Sequence, residues 1–182
     1  MAKHKSSLVD LISGSADGEI IFWNLADHSS KFIVNAHEQM VRGLSFANNH
    51  KLDEDLLFCS SGGDQKIQLW SRNHIEKQRN KLDLVTSAKF KNFLPKATFA
   101  SKHTLGYIDH SYGENQFASC GSVVQIWSYE RSQPIHVFNN WGVDTISRLK
   151  YNPSDHHLIL SASHDRNVVL YDIRGKTPLE RF

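Results

Sequence analysis

Ser13-Gly14-Ser15-Ala16-Asp17-Gly18-Glu19-Ile20-Ile21-Phe22-Trp23 is the stretch that decides the fold, because the same layout returns. Ser60-Ser61-Gly62-Gly63-Asp64-Gln65-Lys66-Ile67-Gln68-Leu69-Trp70 repeats it, and so does Ser161-Ala162-Ser163-His164-Asp165-Arg166-Asn167-Val168-Val169-Leu170-Tyr171. In each, a Ser stands four residues before an Asp and the Asp six before a large aromatic. A shortened copy, Ser119 to Trp127, lacks the Asp. The terminal aromatics lie 47, 57 and 44 residues apart, a period of repeated all-β units.

The small polar centre of each copy is turn chemistry, since Gly, Asn and Asp tolerate the backbone of tight hairpins. A short apolar run follows. Its first position holds Ile20, Ile67, Val124 and Val168, and its third Phe22, Leu69, Ile126 and Leu170. These share one face of a strand, because side chains alternate with period two. The fourth position, with Trp23, Trp70, Trp127 and Tyr171, belongs to the opposite face and is also large and apolar. A strand apolar on both faces has to be covered on both sides. Sheets stacked around an axis achieve that.

These copies resemble the WD repeat, whose units are the four-stranded blades of a β-propeller. In that family a strand Ser, a hairpin Asp, a strand Trp and a His from the loop between blades form one hydrogen-bonded set. The second copy carries all four, as His37, Ser60, Asp64 and Trp70. The third lacks the Asp, and the fourth has Gly142 where the second has His37. The expected fold is all-β: a partial propeller of about four blades, the first incomplete, forming an open arc. The units are 1–36 (truncated blade one), 37–103 (blade two with a basic insertion), 104–140 (blade three) and 141–182 (blade four). WD propellers usually close with more blades than this, so the chain reads as a fragment of a longer protein or a shortened gene product, or as one whose missing half a partner supplies, in preference to a closed four-blade ring.

Composition sets outer limits. With 182 residues, 40% hydrophobic and 22% charged, the chain is globular in class. Its apolar runs are far shorter than the ~20 residues that span a bilayer, and no signal-peptide core follows Met1. Cys59 and Cys120 fall in inner strands of different blades and read as buried thiols of a reducing compartment. Residues 72–103 show no alternation and carry a net charge of +6, against +2 for the whole chain. Leu82 to Phe90 reads as the outer strand of blade two within that stretch.

Three segments carry a resemblance to a narrower family: Ala36 to Gly43, Ile108-Asp109-His110 with Phe117 to Gly121, and Trp141 to Ser147 with Asp165 to Arg174. They resemble the Sof-type WD-repeat proteins (WD repeat and SOF domain-containing). That resemblance implies a non-catalytic scaffold of the small-subunit processome and box C/D snoRNP assembly. It further implies pre-18S rRNA processing, processome proteins as partners, and residence in the nucleus and nucleolus.

Two interaction sites follow as candidates. Lys89, Lys91 and Lys96 in the basic stretch can neutralise phosphates of pre-rRNA or snoRNA, with Phe90, Phe93 and Phe99 stacking on bases. The same stretch also reads as a solvated loop whose Phe residues dock on the blade. Tyr171-Asp172-Ile173-Arg174 resembles the Trp-Asp-x-Arg box of substrate receptors that dock on a cullin-RING adaptor, with Arg174 pairing to a partner carboxylate. Asp172 and Arg174 equally suit a strand end and its turn. No phosphate loop, nucleophile elbow or His-Glu-x-x-His site occurs, so no enzyme activity, cofactor, metal or small-molecule substrate is expected, nor any membrane. His156 and His157, if extended, would point to opposite faces and could not share a metal.

Overall fold

A computed structural model of the chain describes residues 11–24, 29–47, 57–83, 93–139 and 144–182. Each repeat copy folds as an antiparallel meander. Blade one has three strands, β1 (Leu11–Gly14), β2 (Glu19–Asn24) and β3 (Ser29–Asn35). Blade two orders β4 (Val41–Phe46), β5 (Leu57–Gly62), β6 (Lys66–Ser71) and β7 (Ala97–Ala100). Blade three follows with β8 (Leu105–His110), β9 (Gln116–Gly121), β10 (Val124–Ser128) and β11 (His136–Phe138). Blade four has β12 (Ile146–Tyr151), β13 (Leu158–Ser163), β14 (Val168–Asp172) and β15 (Glu180–Arg181). The four sheets make a partial propeller that does not close.

The expected two-sided burial is visible residue by residue. In β6, Ile67 and Leu69 join the core between blades two and three, whereas Trp70 joins the core between blades one and two. In β10, Val124 and Ile126 face blade four while Trp127 faces blade two. Aromatic rings fill the wedges. Phe117 stacks on Trp127 at 6.1 Å and meets Phe99 edge-on at 5.3 Å. At the ends of the arc the same positions are only half covered: Trp23 before blade one, and Val168 and Leu170 beyond blade four.

The hairpins share one device. The residue after the motif Asp takes a left-handed conformation in three copies, with φ of +87° at Gly18, 60° at Gln65 and 69° at Arg166. Only the first copy places Gly there. A Cβ on Gly18 would lie 2.0 Å from the His37 carbonyl oxygen, because the Gly18 carbonyl accepts the Ala36 and His37 amides of the next loop.

Residues 72–103 depart from expectation. Arg72–Asp83 is a helix, α1, and the outer strand of blade two is Ala97–Ala100. Leu82 therefore ends a helix, and residues 84–92 lie outside the described residues. The helix forms because Ser71 Oγ caps it by accepting the His74 amide at 3.0 Å, and no Gly or Pro interrupts it. Ile75 anchors its first turn, fully buried beside Phe58, Trp70 and Phe93. Gln78 then clamps the returning chain, its amide bonding both the N–H and the carbonyl of Leu94 at 2.8 and 2.9 Å.

Replacing Gln65 by Gly should raise unfolding stability by up to about 1 kcal/mol, because a strained left-handed residue is relieved. Gly18→Ala should lower it by more than that, since its new methyl also meets the His37 carbonyl. Urea titrations of both variants read the two signs.

Candidate functional site

The polar set of the second copy spans two strands and a loop. Trp70 Nε1 donates to Ser60 Oγ at 2.9 Å, and Ser60 Oγ lies 2.8 Å from His37 Nε2. His37 Nδ1 lies 3.0 Å from Asp64 Oδ1. Only one proton arrangement satisfies every atom: the Trp N–H to Ser, the Ser hydroxyl to Nε2, and Nδ1–H to the carboxylate. Asp64 also accepts the amides of Glu38 and Lys66, which holds its carboxylate against the hairpin. Burial lowers the His37 pKa, outweighing the opposing pull of Asp64, so the ring is held neutral.

The other copies meet the same need with different parts. Trp23 Nε1 donates to Ser13 Oγ and Trp127 Nε1 to Ser119 Oγ, both at 2.9 Å. Where blade three lacks the Asp, Thr104 Oγ1 accepts the Ser122 amide and Ser101 Oγ donates to Gln125 Oε1 at 2.8 Å. In blade four Ser161 and the Tyr171 hydroxyl are 3.4 Å apart, a weaker link. Asp165 accepts from Ser163 Oγ and the Asp144 amide, and the Ser163 bond first of all depresses its pKa to about 2. Gly142 lies outside the described residues.

Two buried polar residues tie blades together without belonging to the repeat motif. His110, fully buried, donates from Nε2 to the Ser45 carbonyl of blade two at 2.9 Å, and its Nδ1 meets the Tyr129 hydroxyl. Burial pulls the His110 pKa down to about 4. Its neighbour Asp109 reaches the other way, accepting the Tyr151 amide at 2.9 Å and Lys150 Nζ at 2.7 Å in blade four. Sequence reasoning quoted both residues without assigning them a task. The available signal was a charged and an aromatic polar side chain adjacent in a strand that buries both faces.

The interaction candidates are placed as follows. Lys96 is exposed beside β7, and Lys89 and Lys91 lie outside the described residues. Phe93 and Phe99 are buried in the inter-blade cores and are not available to stack on bases, which corrects that expectation. Phe90 lies outside the described residues. Tyr171 is fully buried, and Arg174 forms a bidentate pair with Asp172, at 2.9 Å from Nε and 2.6 Å from Nη2. Arg174 remains largely exposed. His156 and His157 sit in a turn, not a strand, and their rings lie on the same side with centroids 4.4 Å apart. Cys59 and Cys120 are buried free thiols, and burial raises the pKa of both, that of Cys120 to about 11.

One face of the arc carries a groove of about 630 Å³ along the starts of the inner strands. Met40, Arg42, Tyr107, Ile146, Arg148 and His164 contribute to its lining, with the Arg148 guanidinium 5.0 Å over the Tyr107 ring. Among the described residues, no helix is long and apolar enough to cross a membrane.

Residues 28–71 and 132–172 match the family "WD domain, G-beta repeat". Each match begins near the outer strand of one blade and runs through inner strands of the next. These are WD repeats. The whole chain is also similar to proteins named "DDB1- and CUL4-associated factor 13". It is 34% identical over 183 residues to the one from Homo sapiens, 35% over 183 to that from Danio rerio, and 34% over 182 to that from Dictyostelium discoideum. In each case all of this chain is covered, and it spans 37% of the relative's length.

Ser60→Ala should cost about 2–4 kcal/mol, because it orphans both Trp70 Nε1–H and His37 Nε2 in the interior. Ser13→Ala, which removes one half-buried acceptor, should cost about 1 kcal/mol. Chemical denaturation separates them. The pH response follows from two histidines with depressed folded-state values. Their contribution is complete above pH 6.5 and is lost as pH falls towards about 4, where His110 protonates. The urea midpoint should therefore fall over that window. In His110→Asn the fall should be shallower, and a slope equal to the parent's would contradict the assignment. Asp165 and Asp172, both held near 2, act only at lower pH.

Proposed function

We propose that this chain is a non-catalytic WD-repeat scaffold acting in small-subunit processome and box C/D snoRNP assembly, in support of pre-18S rRNA processing in the nucleolus. What supports the reading is the resemblance of Ala36 to Gly43, Ile108-Asp109-His110 with Phe117 to Gly121, and Trp141 to Ser147 with Asp165 to Arg174 to Sof-type proteins, on a chain with WD-repeat matches. The groove with Arg42 and Arg148 and the loops between strands supply the protein-binding surface. Stretch 72–103 supplies positive charge toward pre-rRNA or snoRNA, with Lys96 exposed at its base. Phe93 and Phe99 are buried, so contact through Lys96 beside them is electrostatic. Neither a membrane nor a small-molecule substrate enters this reading.

A second reading, substrate receptor of a cullin-RING ubiquitin ligase, is favoured by the names of the relatives, which speak of DDB1 and CUL4 association. Tyr171, Asp172 and Arg174 are its candidate docking box. The Asp172 pair holds the Arg174 fork just beyond β14, and its guanidinium has further N–H donors with which to meet a partner carboxylate.

Affinity purification of the tagged protein decides between them. Recovery of processome proteins with pre-rRNA supports the first reading; recovery of cullin-adaptor subunits alone, abolished by Arg174→Ala, supports the second. For the RNA contact, neutralising Lys89, Lys91 and Lys96 together should reduce the slope of log affinity against log salt by about 2, given a slope of ~0.7 per phosphate contact on single strands. An unchanged slope refutes contact through this stretch.

A further inference from the structure

Glu114, in the loop between β8 and β9, faces His156 and His157 in the turn between β12 and β13, and the three bring ligand atoms within 4.8 Å of one another. His156 Nε2 and His157 Nε2 each lie 3.8 Å from Glu114 Oε1. That spacing is beyond hydrogen-bond reach, so two imidazole nitrogens converge on a carboxylate oxygen without closing a bond. We infer that this cluster is a binding site for a divalent transition metal, with zinc as the ion it suits, and that the metal clips blade three to blade four.

The donor set selects the ion. Two imidazoles and one carboxylate match the three protein ligands of open tetrahedral zinc sites, with water in the fourth position. Hard cations such as magnesium prefer all-oxygen surroundings. Around zinc, donors at ~2.0–2.2 Å stand roughly 3.3–3.5 Å apart, so each imidazole nitrogen closes on Glu114 by up to about half an ångström from 3.8 Å, with all ligand atoms already within 4.8 Å of one another. Side chains that are 36%, 37% and 30% exposed, for Glu114, His156 and His157, have the freedom to do this and admit the ion from solvent.

A separate observation points to ligation. Asp155 Oδ1 accepts His157 Nδ1–H at 3.1 Å and the His157 amide at 3.1 Å. This fixes the tautomer that leaves Nε2 with its lone pair directed at Glu114, the carboxylate–histidine arrangement found behind metal ligands. The backbone also makes room. At Gly113 a Cβ would come 2.8 Å from His156 Nδ1, so only Gly lets that ring lie against the loop bearing Glu114. None of these residues takes part in the repeat's hydrogen-bond set, so the site is independent of the scaffold reading.

The test uses the whole 182-residue chain stripped with chelator, checked for β structure by circular dichroism, then titrated calorimetrically with zinc chloride. One equivalent should bind at micromolar affinity or tighter, and the melting temperature should rise with zinc but not with magnesium. Glu114→Gln and His157→Gln should each weaken binding at least tenfold. Asp155→Asn, which removes no ligand, should weaken it by about 10- to 100-fold. No bound zinc in the parent overturns the inference. So does zinc that binds all three variants as it binds the parent, since it then sits on others of the eleven histidines.

Discussion

A strand that is apolar on both faces has nowhere to go but between two others. In this chain that constraint governs β2, β6, β10 and β14 at once, each offering branched aliphatic or aromatic side chains forward and an indole or phenol ring backward. The consequence is vectorial. Ile67 and Leu69 bury against the blade that follows, Trp70 against the blade that precedes, and every wedge is shared property of two repeats. Stability of such an array is a sum over interfaces, and no blade carries its own core. The half-covered faces at Trp23, Leu160 and Leu170 are where that sum is incomplete within this chain.

Burying a large ring that bears a polar atom adds a second constraint. An indole N–H sealed from water needs an acceptor, and in three blades a Ser on the neighbouring strand provides it. What lies beyond that Ser is free to vary. Blade two extends the link to His37 and Asp64, reaching the loop from the previous blade. Blade three reaches a loop through Ser101 and Thr104 instead, and blade four relaxes the demand by using Tyr171. The loss of the motif Asp is thus a change of partner for the loop, not the loss of the loop's anchor.

Strands and hairpins were legible because period-two patterning and turn residues are local signals, and β6 begins and ends where the pattern says. The helix Arg72–Asp83 was not. Its apolar residues are only Ile75 and Leu82, its cap is one Ser that also ends a strand, and its tether to Leu94 is a side-chain-to-backbone bond made sixteen residues away. Strand Ala97–Ala100 was missed for a related reason: only Phe99 marks its buried face. The set of His37, Ser60, Asp64 and Trp70 could be written down from spacing because it repeats a pattern. His110 on the Ser45 carbonyl, 65 residues distant, repeats nothing and becomes visible only when blades are stacked.

The same relay raises the one chemical question the fold leaves open, since Ser–His–Asp in that hydrogen-bonding order is also how hydrolases activate a nucleophile. Two features of the geometry separate the cases. A nucleophilic hydroxyl must face a substrate, whereas Ser60 is wholly buried between β4 and β6. One of the two lone pairs of its oxygen is moreover taken by the Trp70 N–H at 2.9 Å, which ties the hydroxyl to the indole it serves. No oxyanion-binding donor can be built beside it without opening the sheet, because the neighbouring amides are spent on the ladder. The arrangement that lowers a barrier in a cleft here satisfies an indole in a core, and chemistry that needs access is exchanged for rigidity that needs none.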